Sequence, residues 1–344
     1  MTGAETPPCP VCGSTETGRI ETFFDSVGRE HYEVLACRSC GLVFSRPMQF
    51  PGSSWYEKYN YVCGYVETAS AASMGRFPYF LNSLPEPHRG RLLDIGCASG
   101  AFLAMAAQRG YEVEGLDVDS RFVTMARAAG FAGVNHGVLD EEFARAHAGA
   151  YDVVAIMEVL EHVADPLAFL RLAGSILKPR GWLLVSVPDN RRPTPFGRDL
   201  WDYPPHHLTR WGPKALRLAL ERGGYEVVDT RSMPLIVREY SRIWADRSAQ
   251  LILKGIKRVL FGSGAGARPM DDILTAPPSG APPAAAGLLP GKEARVRLVA
   301  LYHDFFHVVT WPFFFLMLAY YRLTLPGVGV GLLAVARKAE APSR

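Results

Sequence analysis

The chain has 344 residues, of which 48% are hydrophobic and 21% charged, and its formal net charge is +3. This length and hydrophobic content support a sizeable core and exclude a globally disordered chain, while the small net charge gives no general argument for nucleic-acid binding. The first ten residues, MTGAETPPCP, lack a basic segment followed by an apolar one, so we expect no secretory signal and a cytoplasmic location.

Two cysteine pairs lie in the first 48 residues, in the sequences CPVCG and CRSCG. Tight C-x2-C turns present both sulfurs to one tetrahedral ion, and thiols stay reduced in the cytosol. The separation of the pairs is longer than the usual range of about 15–20 residues, so the hairpin between them must be extended. We predict a structural, non-catalytic zinc ribbon over residues 1–48, with these Zn2+ ligands: Cys9, Cys12, Cys37 and Cys40.

Residues 49–90 form an aromatic-rich connector, and from residue 91 to 231 strand patterns alternate with helix patterns. That alternation is typical of a parallel α/β sheet. We predict strands at 91–96, 111–118, 133–139, 151–159, 181–188 and 225–231, and helices at 100–110, 120–130, 165–179 and 212–224. Residues 327–344 are predicted to be a last strand with a polar tail.

The stretch RLLDIGCASGAF places two glycines and small side chains after an apolar run that ends in an aspartate. A phosphate-binding Walker loop would need a Lys-Ser/Thr pair after the last glycine, and none is present. The spacing Gly96, Ala98, Gly100 differs from a dinucleotide fingerprint, and the carboxylate of Asp94 would repel a pyrophosphate. An acid here suits a ligand with an ammonium group, such as S-adenosylmethionine (SAM).

The sequence LLDIGCASGAFLAMAAQRGYEVEGLDVD resembles the first two strands of the class I SAM-dependent methyltransferases. The resemblance implies a Rossmann-like α/β fold with a seven-stranded sheet whose last strand is antiparallel. It also implies that Asp117 binds both ribose hydroxyls, which is sound chemistry because both hydroxyls donate. The cofactor-binding residues predicted from these two strands are Asp94, Gly96, Cys97, Ala98, Gly100, Asp117 and Val118. Asp119 is a weaker ribose candidate, and we expect it to cap the following helix.

The stretch YDVVAIMEVLEHVADP resembles the same family, in the subgroup similar to quinone-biosynthesis and sugar methyltransferases. Ligands of open α/β sheets lie beyond the carboxyl ends of the strands, so Met157 and Glu158 should face the cofactor or the substrate. Some quinone-biosynthesis relatives place a divalent ion here, and Glu158, Glu161 and His162 are the matching residues. Because methyl transfer itself needs no metal, we favour the interpretation that His162 packs or caps and Glu161 is solvated.

The stretch WDYPPHHLTRWGPKAL carries the adjacent histidines His206 and His207. A hydroxyl acceptor must lose its proton during methylation, and histidine has a suitable pKa near neutrality. We predict that one of the pair is a general base or an acceptor-positioning group; the alternative is a histidine that holds the loop through backbone hydrogen bonds. The following aromatic side chains either wall the acceptor pocket or simply pack: Tyr56, Tyr59, Tyr61 and Tyr203.

Residues 232–326 interrupt the expected connection between the sixth and last strands. They contain a basic amphipathic pattern over 234–262, a Gly/Ala/Pro-rich stretch and an aromatic run at 305–321. That run is shorter than the about 20 apolar residues of a membrane-spanning helix. It suggests in-plane contact with a membrane or lipid, at the inner face of the membrane, or a roof over an apolar acceptor. The alternative is two helices that pack on the sheet edge or at a dimer interface.

Together these features predict a SAM-dependent methyltransferase with an N-terminal zinc ribbon and a helical apolar insertion. The order of a small zinc unit and a SAM domain resembles that of sugar C-methyltransferases. We expect the acceptor to be a sugar, a nucleotide-linked sugar or a related secondary metabolite; a lipid-linked or quinone-like acceptor is the alternative. A different class of protein, a zinc-ribbon binding module with a SAM-sensing scaffold, stays open. No nucleic-acid partner is expected, and the sequence does not set the oligomeric state.

Overall fold

The structure is a computed structural model, which describes residues 7–25, 28–62, 76–86, 89–194, 198, 200–233, 312 and 315–340. The predicted basic helix at 234–262 and the Gly/Ala/Pro-rich stretch lie outside the described residues, and the aromatic run at 305–321 is described only in part. The prediction of membrane or lipid contact by this insertion therefore stays a prediction.

The described residues form eleven strands, seven α-helices and a further helical segment at 315–324. The strands in chain order are β1 (Thr17–Asp25), β2 (Glu30–Cys37), β3 (Val43–Arg46), β4 (Gly90–Ile95), β5 (Tyr111–Asp117), β6 (Val134–His136), β7 (Tyr151–Met157), β8 (Leu177–Pro188), β9 (Thr209–Arg210), β10 (Tyr225–Met233) and β11 (Gly331–Lys338). The helices are α1 (Ser53–Val62), α2 (Phe77–Leu81), α3 (Ala101–Gln108), α4 (Ser120–Ala128), α5 (Glu141–Ala146), α6 (Pro166–Ile176) and α7 (Pro213–Arg222). Short 3₁₀ turns span Leu160–His162 and Leu200–Asp202.

The main sheet has seven strands in the order β10-β11-β8-β7-β4-β5-β6. β11 pairs antiparallel with both β8 and β10, whereas β4, β5, β6, β7 and β8 pair in parallel. This arrangement confirms the predicted Rossmann-like sheet with an antiparallel last strand. The predicted strands and helices of residues 91–231 are all present, and α5 and β9 are additional.

Both faces of the main sheet are covered, which explains why its central strands are almost continuously apolar. Successive residues of β4 point to opposite faces, and Leu92 packs with one hydrophobic core while Leu93 packs with the other. Val153 and Val154 divide between the same two cores in β7. Because β4 and β7 are covered on both faces, polar side chains at their carboxyl ends lie in the interior of the domain rather than on a flat surface.

A second sheet, in the order β1-β2-β3-β9, joins the N-terminal residues to the main domain. β1 and β2 form the extended hairpin that the cysteine spacing predicts, and β3 follows the second cysteine pair. β9 belongs to the segment after the histidine pair and pairs antiparallel with β3. Leu42 and Phe44 are buried in the same core as Trp211, so the two sheets share one apolar interior.

Residues 315–324 are helical and lead to β11. Leu316, Tyr320 and Leu323 of this segment have largely exposed side chains. No helix in the described part of the chain is both long and apolar enough to cross a membrane.

Candidate active site

The four N-terminal cysteines converge as predicted. The Sγ atoms of Cys9 and Cys40 are 3.6 Å apart, those of Cys12 and Cys37 are 3.4 Å apart, and all four sulfurs lie within 4.8 Å of one another. Tetrahedral zinc with Zn–S bonds of about 2.3 Å places sulfurs about 3.8 Å apart, so the donor set fits a structural Zn2+. Burial alone would raise the pKa of Cys37, but hydrogen bonds from the Cys40 backbone and the Cys12 thiol lower it to about 7.

A cavity of about 780 Å³ lies at the carboxyl ends of the central strands, under the N-terminal part of α1. Eight of the nine predicted cofactor-binding residues line it: Asp94, Gly96, Cys97, Ala98, Asp117, Val118, Met157 and Glu158. The ninth, Gly100, is not among the lining residues and forms the N-cap of α3 at φ +84°. A Cβ atom at Gly100 would lie 2.9 Å from the ring of Phe131, so this position needs glycine for the turn and for packing.

Asp94 is 1% exposed, and its Oδ1 has no hydrogen-bond partner within the described structure. Burial raises the pKa of Asp94 well above its ordinary value, and the nearby Asp117 raises it further. A buried acid without a partner is costly, so the site is suited to a donor or an ammonium group. Gly96, two residues later, has φ +80°, and a Cβ there would lie 2.4 Å from Val159. Glycine at this position therefore leaves the loop without a side chain beside Asp94.

Asp117 holds the loop after β4 against the end of β5. Its Oδ2 accepts from the backbone N–H of Ala98 at 2.8 Å, and its Oδ1 accepts from the N–H of Asp119 at 2.9 Å. Each carboxylate oxygen has two lone pairs, so both retain acceptor capacity toward a ligand diol. Burial raises the pKa of Asp117 to about 6. Asp119 accepts from the N–H of Arg121 as the N-cap of α4, which confirms its expected capping role.

Glu161 also lines the cavity, and the expectation that it is solvated is wrong. Its side chain is 1% exposed, and neither carboxylate oxygen has a hydrogen-bond partner among the described residues. The reason is tertiary: the Glu161 carbonyl accepts from the N–H of Leu208 at 2.8 Å, so the histidine segment covers this turn. Burial raises the pKa of Glu161 well above its ordinary value, and Glu158 raises it further.

Three histidines lie close together in the same cavity. One ring nitrogen each of His162, His206 and His207 lies within 4.8 Å of those of the other two, a donor set that can hold a divalent ion. This group differs from the predicted set of Glu158, Glu161 and His162, because the Glu158 Oε1 instead accepts from the hydroxyl of Ser186 at 3.1 Å.

Two of these histidines each form a hydrogen bond between a ring nitrogen and a backbone carbonyl oxygen. The Nδ1 of His162 is 2.6 Å from the carbonyl oxygen of His206, and the Nδ1 of His206 is 2.9 Å from that of Trp201. Burial lowers the pKa of His162 to about 3 and lowers that of His206 well below its ordinary value. His206 therefore makes the kind of backbone contact that the sequence left open as the alternative to a chemical role.

His207 faces two acids. Its Nδ1 is 3.5 Å from Oδ1 of Asp202, and its Nε2 is 3.9 Å from Oε1 of Glu161. Asp202 is 1% exposed and also pairs with Arg192. Burial raises the pKa of Asp202, but His207 and Arg192 outweigh that effect and lower it to about 2, so Asp202 is ionised at neutral pH. Sequence reasoning missed Asp202, since nothing in WDYPPHH indicates that its aspartate turns toward the second histidine.

The aromatic candidates separate into two groups. Tyr56 lines the cavity, its ring packs edge-on against His162 at 5.8 Å, and its buried hydroxyl has no partner in the described structure. Tyr203 stacks on Phe23 at 4.6 Å and does not belong to the lining residues. The side chains of Tyr59 and Tyr61 lie outside the described residues.

The sheet order, the glycine loop and the acids at the ends of adjacent central strands together define a SAM-dependent methyltransferase domain. Residues 72–230 match the family model described as "Methyltransferase domain". This match confirms the resemblance to SAM-dependent methyltransferases that the glycine-containing stretch after β4 indicates.

The chain is also similar to proteins named "Ubiquinone biosynthesis O-methyltransferase". The protein from Bordetella avium is 40% identical over 110 residues, covering 31% of this chain and 45% of the relative. The protein from Marinobacter nauticus is 41% identical over 112 residues, covering 31% and 47%. The protein from Cereibacter sphaeroides is 38% identical over 141 residues, covering 38% and 54%. The chain thus spans about half the length of the relatives it matches.

Among solved structures, a SAM-dependent methyltransferase from Archaeoglobus fulgidus overlaps 83% of this chain and 99% of its own, with a TM-score of 0.43 and 16% identity. A likeness this low adds nothing to the conclusion drawn from the family model.

Proposed function

We propose that this protein transfers a methyl group from SAM to a hydroxyl of a small-molecule acceptor. The observation that carries the proposal is that one cavity is lined by two different groups of polar side chains. We call Asp94 and Asp117 the SAM end and Glu161 and His207 the acceptor end. A cofactor and an acceptor bound at these two groups would share one cavity, which favours reaction by proximity.

The SAM end is supported by the fit of its side chains. Asp94 would hold the methionine amine, because a cation satisfies its buried and unpartnered Oδ1. Asp117 would bind the ribose hydroxyls with the lone pairs left on its two oxygens. Gly96 and Ala98 let the backbone approach the ligand closely, and Met157 lines the same cavity. When bound, SAM supplies an electrophilic methyl group on a good leaving group.

At the acceptor end, His207 would take the proton of the reacting hydroxyl at Nε2. Asp202 supports this role, because its carboxylate lies beside Nδ1 and favours the tautomer that leaves Nε2 as an acceptor. His206 would position the acceptor instead, since its Nδ1 is engaged with the Trp201 carbonyl. The buried Glu161 lies 3.9 Å from Nε2 of His207, and its ionised form would stabilise the imidazolium that forms.

The acceptor class is narrowed by two observations. The names of the sequence relatives concern O-methylation in ubiquinone biosynthesis, which supports oxygen as the methylated atom and favours a quinone-like acceptor. The aromatic side chains beside the histidines, Tyr56 and Trp201, suit a ring-bearing molecule and accommodate a sugar or nucleotide-linked sugar as well. We therefore propose a ring-bearing hydroxyl acceptor, with the quinone-like class first and the sugar class second.

A SAM-sensing scaffold is the candidate from another class of protein. Such a scaffold would need the SAM end. It would not need a buried carboxylate such as Glu161 beside a histidine that a second acid, Asp202, supports. Since Glu161 is buried with no hydrogen-bond partner among the described residues and His207 lies beside Asp202, the acceptor end has the composition of a catalyst.

The decisive experiment offers methyl-labelled SAM and the purified full chain to the small-molecule fraction of a cell extract. We expect the label in one or a few products in which a hydroxyl of the acceptor has been methylated. These labelled products should be absent when Asp117 is replaced by alanine. Calorimetric titration with SAM runs in parallel. SAM binding without any labelled product would favour the SAM-sensing scaffold over the methyltransferase. Absence of SAM binding would reject both proposals.

A further inference from the structure

The cysteine unit (residues 7–48) and the histidine loop (residues 200–211) form one hydrogen-bonded sheet. Val43 and Phe44 of β3 pair with Arg210 and Thr209 of β9, and β3 begins three residues after Cys40. β9 in turn begins two residues after His207. The strand that fixes the end of the histidine loop is therefore anchored at a cysteine pair rather than in the main sheet.

Side chains of β1 and the histidine loop make a second connection. The carboxylate of Glu21 accepts from the Tyr203 hydroxyl at 3.2 Å and from Nη2 of Arg210 at 2.5 Å. The ring of Phe23 stacks on Tyr203 at 4.6 Å. Tyr203 and Arg210 bracket the histidine pair in the sequence, so Glu21 ties both ends of the segment that carries His206 and His207.

The two cysteine turns make a third connection, to the helix that follows the loop. Nζ of Lys214 donates to the carbonyl oxygen of Ser39, which lies between Cys37 and Cys40, at 2.6 Å. Nη1 of Arg222 donates to the carbonyl oxygen of Val11, which lies between Cys9 and Cys12, at 2.9 Å. Both side chains belong to α7, so the geometry of each cysteine turn is transmitted to the element directly after β9.

We propose that the cysteine unit is a positioning element of the acceptor site, and that Glu21 is its principal positioning residue. The meaning of this role for turnover rests on the proposed methyl transfer, since Glu21 acts through the loop that carries His207. The acids of the SAM end lie on β4 and β5, which pair with no strand of the cysteine sheet in the described structure. The unit should therefore affect use of the acceptor and leave SAM affinity intact.

The test compares Glu21→Ala with Glu33→Ala. Glu33 is a matched control because it lies in the same sheet and pairs with Arg19 and Arg46 rather than with the histidine loop. We expect Glu21→Ala to lower kcat/KM for the acceptor by about fivefold or more, because small misplacements of a catalytic group are costly. The dissociation constant of SAM should stay within about twofold in both variants, and Glu33→Ala should keep kcat/KM.

A readout independent of turnover is hydrogen exchange on the zinc-loaded full chain. Glu21→Ala should speed exchange in residues 203–210 and leave β4 unchanged, whereas Glu33→Ala should change neither. Removal of zinc with a chelator should produce the same pattern more strongly, by about tenfold or more at residues 208–210.

Equal exchange at 203–210 in the two variants would overturn the proposal, and so would a chelator effect that is as large in β4 as in the loop. If no acceptor is methylated by the natural chain, the proposed function fails while the exchange experiment still decides the positioning role.

Discussion

The backbone N–H of Ser45, in the strand after the second cysteine pair, donates to the carbonyl oxygen of Leu208 at 2.9 Å. Leu208 follows His207 directly, and its own N–H donates to the carbonyl oxygen of Glu161 at 2.8 Å. One residue thus connects the N-terminal sheet to the backbone of Glu161, whose side chain carries the buried carboxylate. This chain of backbone hydrogen bonds joins the cysteine-rich unit to the domain that carries the histidine pair.

Asp117→Ala should abolish measurable SAM binding, because the ribose loses its acceptor and the loop loses the bond to the Ala98 N–H. Calorimetric titration measures the affinity, and circular dichroism checks that the fold persists. Glu112→Ala in the same strand is the control, since Glu112 is exposed and does not line the cavity. Unchanged SAM affinity in Asp117→Ala would contradict the ribose role.

Replacement of both His206 and His207 by alanine should lower kcat by about a hundredfold or more if one of them takes the acceptor's proton. SAM affinity should change little, because neither residue belongs to the SAM end. Turnover is measured with the acceptor identified by methyl labelling, and His31→Ala, an exposed histidine in β2, serves as the control. A wild-type kcat in the double variant would show that another group takes the acceptor's proton.

Asp202→Asn should lower kcat by about tenfold or more and leave the KM for SAM unchanged, because it weakens the support of the His207 tautomer. It should also move the acidic limb of the pH profile of kcat to lower pH, because the protonated form of the base loses a neighbouring negative charge. Asp229→Asn is the matched control, as Asp229 is partly exposed and pairs with Arg231 in β10. A fall in kcat without any change in the pH profile would indicate a merely structural role for Asp202.

SAM affinity should fall as the pH drops through about 6. Burial raises the pKa of Asp117 to about 6, so the carboxylate is ionised above this pH and gains a proton below it. The surrounding groups are Asp94 and Asp119, which disfavour ionisation, and His136, which favours it. If binding requires the ionised form, affinity falls by up to about tenfold for each pH unit below 6. Titrations at pH 5, 6 and 7.5 test this, and a constant dissociation constant across the range would argue against it.

Cys40→Ser should release the bound zinc and lower Tm by about 5 °C or more, because the cysteine unit shares its apolar core with the main domain. Zinc content and thermal unfolding are measured on the same sample. Cys63→Ser, at a cysteine outside both pairs, should keep one zinc per chain and the natural Tm. A zinc-free natural chain with the same Tm would show that the four cysteines need no metal.

The sequence predicted most of the loop residues and acids that line the cavity, because these signals are local. Apolar runs covered on both faces identify central strands, and the positions just after them, such as Asp94 and Asp117, must lie at one edge of the sheet. The two C-x2-C pairs likewise indicate their partners by type and spacing alone. None of these inferences needed to know which distant segments meet.

The acceptor end depended on contacts between distant parts of the chain. Glu161 is polar and follows a strand, which locally favours solvent, yet the segment around Leu208 covers it. Asp202 has no local signature and gains its role only by facing His207, and β9 is too short to be recognised before it pairs with β3. The sequence by itself determined the sheet, the SAM loop and the cysteine cluster, because periodicity and spacing are properties of neighbouring residues. Only the tertiary structure decided which carboxylates are buried beside the histidines, because burial and charge pairing depend on segments brought together across the fold.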